Sequence, residues 1–237
     1  MMPFEIQIAV AKTHKYAKRE SGDTVELVER PAGGLSVVLV DGQGSGQAAK
    51  SLSLLVSAKA VALLKDGARD GAVARVVHDY LHTFRQGRVS STLEILSVDL
   101  VSGTVVSSRN SATPLLLRQG DEYELRPSRS ESIGIRRHTK PAIDEFAAKP
   151  GLRIALFSDG IIHAGERYRK PFDPLAFARE HLSGDLTAQQ MADAILAAAL
   201  AADQGRPEDD MTAVALNLGP RGEYPPVRRL EMIVPLL

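Results

Sequence analysis

Three apolar segments of this chain, each expected to form a β-strand, adjoin acidic residues at one end. They are residues 35–40 before Asp41, residues 153–157 before Asp159, and residues 212–218 after Asp209 and Asp210. Short runs of β-branched and aliphatic residues between turn residues are typical of strands in a sheet core. Carboxylates that converge in a folded protein repel one another, and burial adds to this cost unless a cation neutralises them. The pattern therefore indicates a cation site if these strand ends meet.

The first strand end continues into Asp41-Gly42-Gln43-Gly44-Ser45-Gly46, after which a helical pattern begins. Alternating glycines allow backbone atoms to approach a small charged ligand closely, because glycine has no side-chain carbon. The alternative is a tight strand-to-helix turn in which Asp41 caps the helix. Dinucleotide and P-loop motifs are excluded, because Gln47 stands where G-x-G-x-x-G needs its third glycine and no G-K-[ST] follows. An EF-hand loop is excluded by the missing alternating acids.

A fourth acid, Asp23, also adjoins a predicted strand. Each acid taken alone suits a turn or a helix cap as well as a ligand role, whereas the set in this order indicates a shared site. Oxygen ligands without histidine or cysteine favour the hard cations Mg²⁺ and Mn²⁺ over zinc.

The strand and helix patterns predict an α+β fold with antiparallel sheets and helices outside them. The predicted strands are residues 6–10, 24–28, 35–40, 92–100, 104–107, 115–118, 123–126, 153–157 and 211–218, and the predicted helices are 46–64, 72–84 and 188–202. Thr187 and Gln190 form a capping-box pattern at the start of the last helix. Residues 126–140, which are rich in Ser and Arg, are predicted to be a surface loop.

The composition is that of an ordinary globular protein, with 44% hydrophobic and 24% charged residues among 237. A formal net charge of +0 gives no support to nucleic-acid binding. The absence of cysteine excludes disulfides and thiolate catalysis. Since neither a leader pattern nor an uninterrupted apolar run long enough for a bilayer is found, we expect a cytoplasmic protein that binds neither nucleic acid nor membrane.

Taken in chain order, the acidic motifs resemble those of the PPM metal-dependent protein phosphatases. The matching residues are Asp23, the Asp41-Gly42-x-Gly44-x-Gly46 loop, Ser158-Asp159-Gly160 and Asp209-Asp210-Met211-Thr212. The final Asp-Asp-x-Thr and the lack of long insertions resemble the bacterial SpoIIE-like and RsbX-like branch. The resemblance extends over residues 22–218 and implies an αββα sandwich of two antiparallel sheets flanked by helices. We expect a single domain over residues 1–237, with 219–237 a loosely specified C-terminal extension.

The resemblance also implies roles for the acids. The implied metal-site residues are Asp23, Asp41, Gly42, Asp159, Asp209 and Asp210, with Asp41 and Asp159 as the catalytic pair. Asp41 would bridge two Mn²⁺ or Mg²⁺ ions, Gly42 would contribute its carbonyl oxygen, and Asp23 would act on the second ion. Asp159 and Asp209 would complete one metal site. Asp210 would support the ligands, although the sequence does not separate its role from that of Asp209.

The chain departs from the family pattern at three places. Gln43 stands where many relatives carry a histidine proposed as general acid, so the source of the leaving-group proton is unassigned. Residues 110–114 (NSATP) replace a segment that in relatives reads Gly-Asp-Ser-Arg or Asn-Ala-Gly-His-Pro, which puts a third metal in doubt. Lys18 and Arg19 are candidates for phosphate binding by proximity to Asp23 alone, and the substrate-binding residues are otherwise unknown.

The family implies hydrolysis of phosphoserine or phosphothreonine on a protein, expected to be a bacterial stress- or sporulation-signalling regulator. Two alternatives belong to other classes. One is a pseudophosphatase that binds a phosphoprotein without turnover, and the other is a phosphoesterase for small molecules. By family analogy, the helices of residues 46–84 would form a regulatory or homodimer surface.

Overall fold

Strands that are apolar along their whole length must be covered on both faces, and both faces of each sheet of this protein are covered. The computed structural model describes residues 4–220 and 227–234. Sheet A contains, in spatial order, β1 (Phe4–Thr13), β10 (Met211–Pro220), β9 (Arg153–Phe157), β6 (Leu115–Gln119) and β7 (Glu122–Arg126). Sheet B contains β2 (Thr24–Glu29), β3 (Leu35–Val40), β4 (Leu93–Asp99), β5 (Thr104–Asn110) and β8 (Ala142–Ala147). Every pair of neighbouring strands is antiparallel.

The two sheets pack face to face, and strand β3 illustrates how. Successive side chains of a strand point to opposite faces. Val37 and Leu39 accordingly join the core between the sheets, whereas Val38 and Val40 join the core beneath the helices. Each strand of this kind therefore contributes to two cores at once.

Within the described residues, five α-helices cover the outer faces. Helices α1 (Gln47–Lys65) and α2 (Asp70–Arg85) pack on sheet B, and helices α3 (Asp159–Ile162), α4 (Pro174–His181) and α5 (Ala188–Ala202) pack on sheet A. The four layers form the αββα sandwich that the sequence predicted. Among the helices of the described residues, α1 alone is long and apolar enough by composition to cross a membrane. Its residues Leu52, Val56 and Leu64 are buried against sheet B, as in the core helix of a globular protein.

The predicted elements differ from the observed ones in several places, among them the short helix α3, which was not predicted, and β5, which continues to Asn110. Strand β1 is longer than expected. Strand β8 was missed because its sequence AIDEFA mixes acids with apolar residues, as suits an edge strand with one face exposed. Helix α4 was also missed, although Asp173 caps it and Pro174 occupies its first turn. Residues 126–140 contain no helix, but their assignment as a surface loop was wrong at Ile133, which is buried and forms a β-bridge with Ser91. The capping box of Thr187 and Gln190 is confirmed.

One end of the sandwich carries three connections that cross between the sheets. They are the β1–β2, β5–β6 and β7–β8 segments, while β8–β9 crosses at the opposite end. In the expected C-terminal extension, Gly219 and Pro220 complete β10 and residues 227–234 have no regular secondary structure. The other residues of that extension, 221–226 and 235–237, lie outside the described part of the chain.

Candidate functional site

The five predicted acids lie at the end of the sandwich that carries the three crossing connections. Antiparallel neighbours place the end of one strand beside the start of the next. Asp23 precedes β2 and Asp41 follows β3 in sheet B, whereas Asp159 follows β9 and Asp209 and Asp210 precede β10 in sheet A. Sheet pairing therefore brings the acids together in two groups, one from each sheet. We call these five residues the site acids.

Asp23 is fully buried and links the two groups. Its Oδ2 accepts a hydrogen bond of 2.5 Å from the Thr212 hydroxyl of β10. Its Oδ1 is buried and has no hydrogen-bond partner within residues 4–220 and 227–234. Burial raises the pKa of Asp23 to about 6, although hydrogen bonds from hydroxyl groups act in the opposite direction. A buried carboxylate oxygen without a partner is costly, so this atom is suited to a water or cation.

The Asp41 carboxyl lies where a negative charge is unfavourable. Burial raises the pKa of its carboxyl to about 9, and the charges of the other four site acids add to the rise. Its backbone is held firmly, because its N–H donates to the Thr92 hydroxyl at 3.0 Å and its carbonyl accepts from the Ser91 hydroxyl at 2.6 Å. The Asp41 carboxyl is therefore fixed at a position where a negative charge is unfavourable unless a cation is present.

Asp159 of sheet A and Asp41 of sheet B interact electrostatically across the gap between the sheets. The negative charge of Asp159 contributes to the raised pKa of Asp41. Burial raises the pKa of Asp159, and the charge of Asp209 adds to this effect. No three Asp, Glu or His side chains in the described part of the chain are arranged as a ready metal-ligand set.

The site nevertheless fits divalent cations by the chemistry of its donors. It offers carboxylate and carbonyl oxygens, the donors preferred by Mg²⁺ and Mn²⁺. It also contains the buried Asp23 Oδ1, which has no hydrogen-bond partner among the described residues, and the Asp41 carboxyl, whose raised pKa a bound cation would lower.

Gly42 packs directly against helix α1. A Cβ atom at this position would lie 2.2 Å from the carbonyl oxygen of Ala49, which no side chain could tolerate. Gly42 also forms a β-bridge with Ser91, which in turn bridges Ile133. The backbone at Gly42 is thus positioned from both sides.

The structure separates Asp209 from Asp210, which the sequence did not. The Asp210 carboxylate accepts from the backbone N–H groups of Lys15 and Gly22, both at 2.7 Å, and so holds the β1–β2 connection onto β10. Both of its oxygens are thereby engaged. Asp209 is partly exposed, and its Oδ1 accepts from the Asp210 N–H at 2.9 Å. Asp209 is therefore the better placed of the two to bind a cation.

Two lysines at the site were not recognised from the sequence. The ammonium groups of Lys12 and Lys50 both donate to the carbonyl oxygen of Asp23, at 3.0 and 2.7 Å. Lys50 lies in the first turn of α1, four residues after Gly46, which ends the glycine-rich loop, and that proximity is the one signal available in the sequence. Lys18 and Arg19, the earlier candidates, are exposed in the β1–β2 connection.

Comparison with known proteins places the chain in a family. A family model described as Stage II sporulation protein E (SpoIIE) matches residues 31–219. The chain belongs to the SpoIIE family. Stage II sporulation protein E of Priestia megaterium is 22% identical over 218 residues, which cover 91% of this chain and 37% of that protein. The chain thus spans little more than a third of that relative's length.

Solved structures confirm the fold of this SpoIIE-family chain. The PP2C phosphatase domain with a regulatory-domain fragment of SpoIIE from Bacillus subtilis superposes with a TM-score of 0.80 at 20% identity, covering 94% of this chain and 65% of that one. RsbX in complex with magnesium superposes with a TM-score of 0.68 at 17% identity, covering 92% of this chain and 100% of that one. The αββα sandwich of the PPM phosphatases is therefore the fold of this chain.

We predict that Asp41→Asn stabilises the metal-free protein. The pKa of Asp41 in the folded chain, about 9, lies above the value of about 4 expected when unfolded, so ionisation opposes folding at any pH above about 4. The gain should grow from about pH 4 towards pH 9 and vanish at lower pH. At pH 8 we expect at least about 1 kcal/mol, or roughly 2–4 °C in Tm for a domain of this size. Thermal melts in EDTA across this range provide the measurement, and a gain that persists unchanged at pH 3.5 would contradict the explanation.

Asp209→Asn and Asp210→Asn should have different effects on the SpoIIE-family site. Asp210→Asn replaces one acceptor oxygen with an amide nitrogen and should lower metal-free stability by about 1–3 kcal/mol, because a backbone N–H loses its partner. Asp209→Asn should leave metal-free stability nearly unchanged and remove the rise in Tm produced by Mn²⁺. Melts of both variants with EDTA and with Mn²⁺ test this, and the reverse pattern would exchange the two assignments.

Proposed function

We propose that this chain hydrolyses phosphoserine or phosphothreonine esters on a protein in a metal-dependent reaction. The observation that carries the proposal is the meeting of the site acids from both sheets at one end of a PPM-type sandwich. Structural proteins gain nothing from several carboxylates held close together, whereas phosphoryl transfer needs cations at such a place.

Asp41, Asp159, Asp209 and the carbonyl oxygen of Gly42 are the residues we assign to two Mn²⁺ or Mg²⁺ ions. Support for magnesium comes from RsbX, a structural neighbour solved in complex with that ion. Bound cations would supply Lewis-acid activation of water and of the phosphoryl group. Asp23 would act on the second ion through its free Oδ1, and Asp210 would hold the β1–β2 connection in place.

The residues around the acids orient them rather than react. Thr92 and Ser91 hold the backbone of Asp41, and Thr212 orients the carboxylate of Asp23. Lys12 and Lys50 place two positive charges beside Asp23, which lowers the electrostatic cost of gathering the acids. Positioning and charge stabilisation are the contributions that a protein makes to phosphoryl transfer.

A protein substrate is favoured by the open setting of the site. Asp41, Asp159 and Asp209 are partly exposed, and Gln43 and Gly44 beside them are exposed. A cavity of about 330 Å³ beside α4 and one of about 290 Å³ beside α2 are lined by none of the site acids. A phosphorylated side chain on a protein surface reaches such an edge more readily than a small metabolite is retained there.

The proposed partner is a phosphorylated regulatory protein in a cytoplasmic bacterial stress or sporulation pathway. This follows from the SpoIIE family and from the sporulation protein of Priestia megaterium, of which this chain matches one part. The identity of the regulator depends on surfaces beyond the acids.

The deciding experiment measures phosphate release from a phosphoserine protein and from an aryl phosphate, each with Mn²⁺, Mg²⁺ or EDTA. We expect release from the phosphoprotein that requires a cation and is lost in Asp41→Asn. Binding of the phosphoprotein without release in the presence of Mn²⁺ would establish the pseudophosphatase instead. Turnover confined to small phosphoesters would establish the small-molecule phosphoesterase.

Gln43→Ala should reduce turnover on phosphoserine less than about 10-fold. The side-chain Oε1 of Gln43 accepts a hydrogen bond from the Ser90 N–H at 2.9 Å, so this side chain holds the loop against residues 90–92. A group that transfers the leaving-group proton would account for roughly 10²–10⁴-fold. Comparing phosphoserine with an aryl phosphate, which needs little protonation, separates the two roles. A thousandfold loss on phosphoserine alone would show that Gln43 helps to deliver the proton.

A further inference from the structure

The metal site proposed above is divided between two sheets that are joined by packing rather than by a shared strand. Asp23 and Asp41 belong to sheet B, and Asp159 and Asp209 to sheet A. The separation of the sheets at this end therefore sets the distance between the two groups of ligands. Apolar packing between sheets is non-directional and does not by itself define that distance closely.

A buried glutamate lies between the sheets beside the site. Glu94 pairs with Leu39 on the neighbouring strand β3, two residues before Asp41. Leu93 and Ile95 belong to the core beneath the helices, so Glu94 points into the space between the sheets. Leu39 itself belongs to the core between the sheets, which agrees with this orientation.

Glu94 contacts the β5–β6 connection, which crosses from sheet B to sheet A. Its Oε1 accepts hydrogen bonds of 2.5 Å from the hydroxyls of both Ser111 and Thr113. The two hydroxyl oxygens also lie 2.8 Å apart, so both are held within one compact polar cluster with the Glu94 carboxyl. Burial raises the pKa of the Glu94 carboxyl, while these hydroxyls and Arg109 act in the opposite direction. The carboxyl thus holds the crossing chain onto β4 at the point where it leaves sheet B.

Arg109 extends the same network to a second crossing. It pairs with Glu94 across β4 and β5 and is fully buried. Its guanidinium donates to the carbonyl oxygens of Thr113, at 3.2 Å, and Arg126, at 3.1 Å, and pairs with Asp144 at 2.7 Å. We call Glu94, Arg109, Ser111 and Thr113 the polar clamp. The polar clamp ties the β5–β6 connection and the start of the β7–β8 connection to sheet B.

We propose that Glu94 is a positioning residue that sets the separation of the two halves of the metal site through Ser111 and Thr113. The inference rests on the proposed function for the metal ions but concerns residues that bind no metal. If Glu94 only filled space in the core, an apolar side chain could replace it without effect on the metal site, since such replacements are often neutral for stability. If Glu94 positions the two groups of ligands, its replacement should change metal affinity, because substitutions of residues that support metal ligands commonly lower affinity by 10–100-fold.

The test compares Glu94→Gln with Glu94→Met by calorimetric titration of the whole chain with Mn²⁺. Glutamine retains an acceptor oxygen for both hydroxyls, so Mn²⁺ affinity should stay within about threefold of the wild type. Methionine has a similar length but offers no such acceptor, and we expect Mn²⁺ affinity to fall by about 10-fold or more. The metal-free Tm is measured alongside, to separate loss of affinity from loss of the fold.

Ser97→Ala is the matched control. Ser97 is also buried on β4 and its hydroxyl bonds that of Ser36 at 2.6 Å, but it lies towards the opposite end of the strand. Its replacement should lower the metal-free Tm and leave Mn²⁺ affinity unchanged. An equal loss of affinity in Ser97→Ala and Glu94→Met would show a general effect of stability and overturn the proposal.

Thr113→Val keeps the test decisive if Glu94→Met does not fold. Valine has nearly the same shape and removes one hydrogen bond of the clamp, so we expect a loss of Mn²⁺ affinity of at least threefold. Wild-type affinity in Thr113→Val, or in a folded Glu94→Met, overturns the proposal. A wild-type protein that binds Mn²⁺ but releases no phosphate would refute the proposed function. The Mn²⁺ affinities of the variants would then still decide the role of the polar clamp. A wild type that binds no Mn²⁺ would refute both.

Discussion

The repulsion among the five site acids is the constraint on which the rest of this structure depends. The chain gathers Asp23, Asp41 and their partners at one edge, where burial and mutual charge raise the pKa of Asp41 to about 9. A fold can hold such a group only if other interactions offset its cost. The extensive apolar layers supply that stability, and two lysine ammonium groups at the Asp23 carbonyl reduce the local excess of negative charge.

The αββα architecture explains how acids distant in sequence come together. Antiparallel pairing places the start of β2 beside the end of β3, and the start of β10 beside the end of β9. Face-to-face packing then brings these two edges into contact. The hydrogen bond from Thr212 to Asp23 and the charge interaction between Asp41 and Asp159 link the two edges. The site is thus a property of sheet packing rather than of a single loop.

Polar side chains hold the connections that cross between the sheets at the site. Asp210 holds the β1–β2 connection through two backbone amides, and the polar clamp holds the β5–β6 connection through Glu94. Ser91 joins the glycine-rich loop to the β7–β8 connection through its bridges to Gly42 and Ile133. Each connection that crosses at the site is therefore tied by directional hydrogen bonds, which define position more closely than apolar contact does.

The local sequence determined the elements whose signals are short-range. Apolar runs ending in acids predicted β3, β9 and β10, and the Thr187–Gln190 pattern predicted the start of α5, because strand periodicity and helix capping depend on neighbouring residues. The acids themselves could be identified as one set from their order along the chain. Strand β8 could not be predicted from the sequence, since an edge strand with acidic residues has no distinctive apolar pattern.

Tertiary structure alone decided the roles that depend on partners distant in sequence. Asp209 and Asp210 are adjacent in sequence, yet only Asp210 accepts from Lys15 and Gly22, almost 200 residues away. Of the two lysines at Asp23, Lys12 had no local signal, and Lys50 had only its proximity to the glycine-rich loop. Sequence determines which side chains are available and where strands and helices begin. The packing of the two sheets determines which of those side chains meet, because a hydrogen bond or a shared charge acts through space and not along the chain.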